Sequence, residues 1–241
     1  MPEPQVTAAP TVLWDFDGTL AFRADRWRGA LLAALDAVDP THQVSLDQLR
    51  QGLRDGFLWH TPEQPHPHLD TPDRWWGHHA SLFLQTYLDA GIDEPAARRA
   101  ASAVRSAYLD PAAWTVYEDV LPALRRLQAH GWQNVVLSNH VPELSVLVEQ
   151  LGLAGVVNQV LTSAVTGYEK PHPAMYVLAR HVAGDPRVMW MVGDNPVADV
   201  AGARAAGIPA LLVRTPDADG RVLGLADAVD RILAAPGEQR G

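Results

Sequence analysis

Four carboxylates, one serine and one lysine follow apolar runs in this chain. Asp15-Phe16-Asp17-Gly18-Thr19 comes directly after Thr11-Val12-Leu13-Trp14, and Ser138-Asn139 after Asn134-Val135-Val136-Leu137. Lys170-Pro171 lies beyond a weaker run from Val156 to Leu161, and Gly193-Asp194, with Asp199 further on, follows Val188 to Val192. Asp15, Asp17, Asp194 and Asp199 gathered at one place would repel one another, which raises their pKa values or demands a cation. An all-oxygen, histidine-free donor set favours a hard ion, and the number of acids suits Mg²⁺. The expected ligands are the Asp15 carboxylate, the backbone carbonyl of Asp17 and the Asp194 carboxylate. Asp199 stands behind them, orienting metal-bound water or Lys170. With Asp17 protonated, Mg²⁺ and Lys170 balance the other three carboxylates, so a phosphate dianion can approach.

The chemistry then divides among the residues. Asp15 attacks phosphorus to form an aspartyl-phosphate. Asp17, two residues on, protonates the leaving oxygen and then deprotonates the water that splits the intermediate. Ser138 and the amides near Asn139 hold phosphoryl oxygens, and Lys170 stabilises the developing negative charge. Lys170 is the only lysine in the chain; every other strongly basic residue is arginine. Singly, each residue has an ordinary structural use. Asp17-Gly18 could mark a turn, Ser138 could cap a helix, Asp199 could solvate one, and Lys170 could be a surface residue.

Four apolar runs, with a fifth at Ala210 to Val213, read as buried parallel strands. Helical spacing lies between them: Leu121, Leu124 and Leu127 before Gly131, then Pro142 to Leu151, Pro173 to His181 and Asn195 to Ala206. Alternation of this kind predicts an α/β fold, a doubly wound parallel sheet with helices on both faces, whose strand tips gather the polar residues at one edge. The rhythm fails between Asp15 and Ser138, where no strand pattern is evident. Leu31-Leu32-Leu35, Leu46-Leu49-Leu53, Trp76-His79-Phe83 and Ala97 to Tyr108 have helical spacing. The expectation is a helical cap over residues 22–105, inserted into a core made of residues 1–21 and 106–241. Residues 1–10 read as a loose arm, Thr61 to Pro72 as a loop, and the chain after Ala235 as a frayed tail.

Composition narrows the function. A formal charge of −9 disfavours a nucleic-acid polymer as partner. With no cysteine there is neither thiolate catalysis nor a disulfide. The first residues lack the pattern of a secretory leader, and no apolar run is long enough to span a membrane, so a cytoplasmic enzyme is expected. The insert concentrates Trp27, Trp59, Trp75 and Trp76 together with His42, His60, His66, His68, His78 and His79. These read either as a specificity surface or as cap core and solvated loop. A zinc site at His66, His68, His78 and His79 is a third reading, although the spacing fits no zinc motif. Arg23 and His140 adjoin the motifs and are placed for contact with a leaving group.

Asp-Phe-Asp-Gly-Thr, Ser-Asn, Lys-Pro and Gly-Asp-Asn followed after three residues by Asp, in this order, resemble the four signature motifs of the haloacid dehalogenase superfamily. The inserted helices resemble that superfamily's helical-cap branch. The resemblance implies a Rossmann-like core, Mg²⁺ as cofactor, and a small phosphate ester as substrate. It assigns Asp15, Asp17, Ser138, Lys170, Asp194 and Asp199 the roles given above. Dehalogenases of the family lack an aspartate two positions after the nucleophile, because a halide needs no proton; Asp17 therefore points to phosphoryl transfer. A phosphomutase, or a non-catalytic binding protein on the same fold, are the alternatives. The motifs fix neither the substrate nor the oligomeric state.

Overall fold

The computed structural model describes residues 8–235. The tail after Ala235 and most of the expected N-terminal arm lie outside that range. The chain begins with β1 (Thr11–Trp14), β2 (Ala21–Arg23), α1 (Arg26–Val38), α2 (Leu46–Gly52), α3 (Pro72–Asp89) and α4 (Glu94–Leu109). It continues through β3 (Trp114–Val116), α5 (Val120–Ala129), β4 (Gln133–Ser138), α6 (Leu144–Gln150), β5 (Gln159–Thr162), α7 (Ser163–Thr166) and α8 (Pro173–Val182). β6 (Met189–Gly193), α9 (Gly202–Ala205), β7 (Ala210–Leu212) and α10 (Leu225–Ala234) complete it.

Five parallel strands form one sheet in the order β5-β4-β1-β6-β7. β1 is central, with Trp14 opposite Val136 on one side and Val192 on the other. The order reverses at β1, so chain direction turns outward both ways from it and opens a crevice at the strand tips. Alternation along each strand sends side chains to opposite faces. Val12 and Trp14 pack with Leu124, Leu127 and Val229 on one side, while Leu13 packs with Met175, Tyr176 and Ala203 on the other. Burial on both faces is why β1 and β6 are near-continuous apolar runs, whereas edge strand β5 exposes Gln159.

The helical insert is built from α1 to α4. Its helix starts are written in the sequence: a Ser45/Gln48 capping box opens α2, Thr71 caps α3 ahead of Pro72, and Asp93 caps α4. Leu31 and Leu35 of α1 are buried, as are Ala97, Ala100 and Val104 of α4. The buried Tyr87 hydroxyl donates to the Leu31 carbonyl at 2.6 Å.

Two features depart from expectation. A short antiparallel ribbon, β2 with β3, ties the two ends of the insert together where no strand was anticipated. Strands of three residues carry no usable periodicity, and their pairing partners, such as Ala21 with Val116, are far apart in sequence. The helix expected over Asn195 to Ala206 opens as a π turn, Pro196–Ala201, before becoming α-helical at α9. The amides of both Asp199 and Val200 reach the Asn195 carbonyl, at 3.0 and 3.3 Å. Such turns are frequent at functional sites. Among the described residues, no helix is long and apolar enough to cross a membrane.

Candidate active site

β1, β4 and β6 are neighbours, so Asp15, Ser138 and Asp194 leave adjacent strand tips. Asp15 Oδ1 accepts hydrogen bonds from Ser138 Oγ and Lys170 Nζ, both at 2.8 Å. Its other oxygen accepts none from the described residues. Lys170 spends its remaining two protons on the Leu137 carbonyl at 2.7 Å and Asp199 Oδ1 at 2.6 Å. Burial alone would discourage the charged ammonium, but Asp15 and Asp199 outweigh it and hold Lys170 protonated well beyond the ordinary lysine range. The ammonium has no donor left to rotate away with. Lys170 and Asp199 are both almost fully buried, so neither is the surface residue that sequence alone allowed.

Asn139 holds this lysine's backbone. Its side-chain amide donates to the Lys170 carbonyl at 2.8 Å and its carbonyl oxygen accepts from the Lys170 amide at 2.7 Å. The π turn delivers Asp199 in a similar reciprocal way. Asp199 Oδ2 accepts from the Asn195 amide, while Asn195 Oδ1 accepts from the amides of Val197 and Ala198, each at 2.9 Å. Gly193 is needed here, because a Cβ would run into the Asp199 carboxylate. Ser138 does not cap α6, whose N-cap is Glu143.

The first-motif turn carries the second carboxyl. Gly18 adopts φ 90°, in the left-handed region open to glycine, and a Cβ there would lie 2.5 Å from Asp194 Oδ2. Asp17 is therefore in a turn, as its Asp-Gly sequence allowed, and also beside the site. Its Oδ1 is buried without a hydrogen-bond partner. Burial raises its carboxyl to about 6, with Arg26 opposing and Asp15 assisting. Burial, then Asp15, also lifts Asp194 to about 6. Carboxylate oxygens of Asp15, Asp194 and Asp199 lie within 4.8 Å of one another. Both Asp199 oxygens are already bonded, whereas Asp15 Oδ2 accepts no hydrogen bond from the described residues and Asp194 accepts only a long one, from Thr19 Oγ1 at 3.4 Å. This all-oxygen donor set fits a hard divalent ion.

The cavity above these groups, of about 360 Å³, is roofed by the insert through Arg26, Trp27, Trp59 and Tyr108. Trp27 stacks on Tyr108 with ring centroids 4.0 Å apart. Trp75 and Trp76 are instead buried in the insert's core. His140 lines the cavity, 3.3 Å from the Tyr108 hydroxyl, and burial drives its pKa down to about 4, so it is neutral at ordinary pH. Arg23 does not reach this cavity; it is buried and lines a neighbouring one. The four histidines do not assemble a zinc site. His66 is paired with Glu169 at 3.1 Å and His79 with the Trp75 carbonyl at 2.9 Å. Among the described residues, the only convergent group of three metal-ligating side chains is the aspartate cluster.

Sequence reasoning missed Arg26, Tyr108, Arg214 and Thr215. Arg214 Nε donates to the Thr19 carbonyl at 2.7 Å and Nη2 to Asp119 at 2.6 Å, fixing the first-motif turn. Thr215 Oγ1 donates to the Asp194 carbonyl at 2.8 Å. A signal existed for the last two, since they follow the fifth apolar run just as the motif residues follow the others.

Comparison with known proteins gives one consistent picture. Residues 9–207 match the family described as haloacid dehalogenase-like hydrolase. The haloacid dehalogenase-like hydrolase domain-containing protein 3 of Homo sapiens is 31% identical over 214 residues, 85% of this chain and 82% of that protein. A phosphoserine phosphatase of Thermus thermophilus is 32% identical over 152 residues, covering 61% of this chain and 59% of the relative. In structure, a 2-haloacid dehalogenase from Pseudomonas syringae superposes with a TM-score of 0.65 and 26% identity, covering 94% of this chain and 98% of that one.

Proposed function

Because the chain belongs to the haloacid dehalogenase-like hydrolase family, we propose that it hydrolyses a small phosphomonoester with Mg²⁺, through a phosphorylated Asp15. The observation that carries this reading is the asymmetry of Asp15: Oδ1 is pinned by Ser138 and Lys170, while Oδ2 is left without a partner beneath the cavity. A phosphatase appears among the sequence relatives, and a dehalogenase among the structural ones. Asp17 decides between them. A carboxyl raised to about 6 can hold a proton near neutral pH and give it to an alkoxide, a service that a departing halide does not need.

In this mechanism Asp15 Oδ2 attacks phosphorus in line with the ester oxygen. The P–O bond to the leaving group breaks, and Asp17 transfers its proton to that oxygen. Asp17, now a carboxylate, takes a proton from water, which attacks phosphorus and returns Asp15 and inorganic phosphate. Ser138, the backbone at Asn139 and Lys170 line the path of the phosphoryl oxygens. The Asp15 and Asp194 carboxylates and the Asp17 carbonyl would hold Mg²⁺, which supplies charge neutralisation for the phosphoryl group. Asp199 positions Lys170. Residues 22–105 serve as the cap that keeps bulk water from the intermediate.

The test is release of inorganic phosphate from a generic aryl phosphate. Turnover requires Mg²⁺, is removed by chelator, and is abolished in Asp15→Asn. Undiminished turnover by that variant would reject the mechanism. Free phosphate as product, rather than a rearranged phosphate ester, separates hydrolase from mutase.

A further inference from the structure

A second cavity, of about 700 Å³, adjoins the first and shares Arg26, Trp27 and Trp59 with it. Five arginines line it, Arg23, Arg26, Arg28, Arg50 and Arg54, against a single carboxylate, Asp25. This concentration of positive charge sits in a chain of net charge −9. Arg28 is neutralised by Asp25 at 3.1 Å and Asp47 at 3.8 Å. Among the described residues, the other four have no carboxylate within ion-pair distance.

Arg23 is the decisive residue. It is only 6% exposed, and its Nε and Nη1 are sealed from solvent without a hydrogen-bond partner. Burial lowers its hold on its proton, with only Tyr108 and Asp110 pulling the other way. A guanidinium buried without a partner is strongly unfavourable. Its sealed nitrogens do not open on the cavity, but Arg23 lines it and adds its charge to that of three further unpaired arginines, which together favour a multiply charged oxyanion there. Arg26 stands where the two cavities meet, so an anion bound in the second can belong to a molecule whose ester lies in the first.

We propose that the second cavity receives a second phosphoryl group of the substrate, at the end remote from the ester that is cleaved, so that the natural substrate class is a bisphosphate. This rests on the phosphatase reading above. Net positive lining favours a dianion over a carboxylate.

The test has two arms. In the first, kcat/KM is compared for fructose 1,6-bisphosphate, fructose 6-phosphate and 6-phosphogluconate with Mg²⁺. The bisphosphate is expected to be favoured about tenfold or more over both, and the preference to fall about tenfold, through KM, in Arg23→Gln. Arg50→Gln/Arg54→Gln, which alters only exposed side chains, is expected to reduce it as well and serves if Arg23→Gln does not fold. In the second arm, pyrophosphate is titrated into chelator-treated protein and tryptophan fluorescence is followed, since Trp27 and Trp59 line the cavity. Saturable binding, weakened in either variant, is expected.

Equal use of the bisphosphate and the monophosphate, a preference for 6-phosphogluconate, or pyrophosphate binding indifferent to all three arginines would each overturn the proposal. Turnover of an aryl phosphate alongside such a result leaves the phosphatase reading standing. Arginine-dependent pyrophosphate binding in a protein that hydrolyses no phosphate ester would sink that reading instead.

Discussion

Asp15 commits one oxygen to Ser138 and Lys170, whereas Asp17 leaves an oxygen buried and unbonded. The first arrangement suits a group that must point one way; the second suits a group that must exchange a proton. Asp17→Asn removes the proton and keeps the shape. Its turnover of an alkyl phosphate should fall about 10²–10⁴-fold. With p-nitrophenyl phosphate, whose leaving group needs little protonation, phosphorylation of Asp15 should persist while its hydrolysis stalls. A burst of p-nitrophenol followed by slow release is the expected trace; equal loss on both esters with no burst would remove Asp17 from proton transfer.

The insert is fastened to the core at identifiable points. Trp76 Nε1 donates to Glu143 at 3.1 Å, and Arg105 pairs with the same carboxylate at 2.7 Å. On another side, the His66 amide donates to the Gly167 carbonyl at 2.8 Å, and the His66 ring meets Glu169, the residue before Lys170. Glu143→Ala strips partners from both α3 and α4. Arg105 is partly exposed and water will screen much of its share, so a loss of about 1–2 kcal/mol is expected in chemical denaturation. The same variant should raise KM more than it lowers kcat, because the roof of the cavity loosens while Asp15 and Lys170 are untouched. Unchanged stability and KM would mean that Glu143 does not fasten the insert. None of these tethers was legible in the sequence. They join residues tens of positions apart, one of them through the backbone, and Arg105, Glu143 and Glu169, read singly, look like solvated surface. β1, β4 and β6 were legible for the opposite reason: burial on both faces writes them as largely apolar runs, whereas β5, at the sheet's edge with Gln159 exposed, leaves only a weak one. The arginine-lined cavity stayed hidden because its lining comes from separate segments, and arginine is the default basic residue of this chain.

At the scale of the molecule, the crowded carboxylates tie stability to pH and metal. Asp17 and Asp194 are raised from an ordinary 3.8 to about 6 by burial and by their acidic neighbours. The folded state therefore binds more protons than the unfolded chain between those values. Their contribution to stability is fully present below about pH 4 and is lost as pH rises through about 6. A cation that replaces the protons should reverse this. Mg²⁺ is expected to raise Tm clearly at pH 7.5, by the equivalent of about 2.7 kcal/mol at a hundredfold excess over Kd, and much less at pH 5, where protons compete for the same oxygens. A Tm gain independent of pH would place the ion elsewhere.

The solitary lysine has a practical corollary. Its ammonium is enclosed by Asp15, Asp199 and the Leu137 carbonyl, which leaves the native molecule without a reachable ε-amine. Acylating reagents aimed at lysine should leave Lys170 unmodified in the folded enzyme and react at that position only when the sheet's edge comes apart. A residue retained for its charge thus doubles as a built-in clock for the opening of the catalytic core.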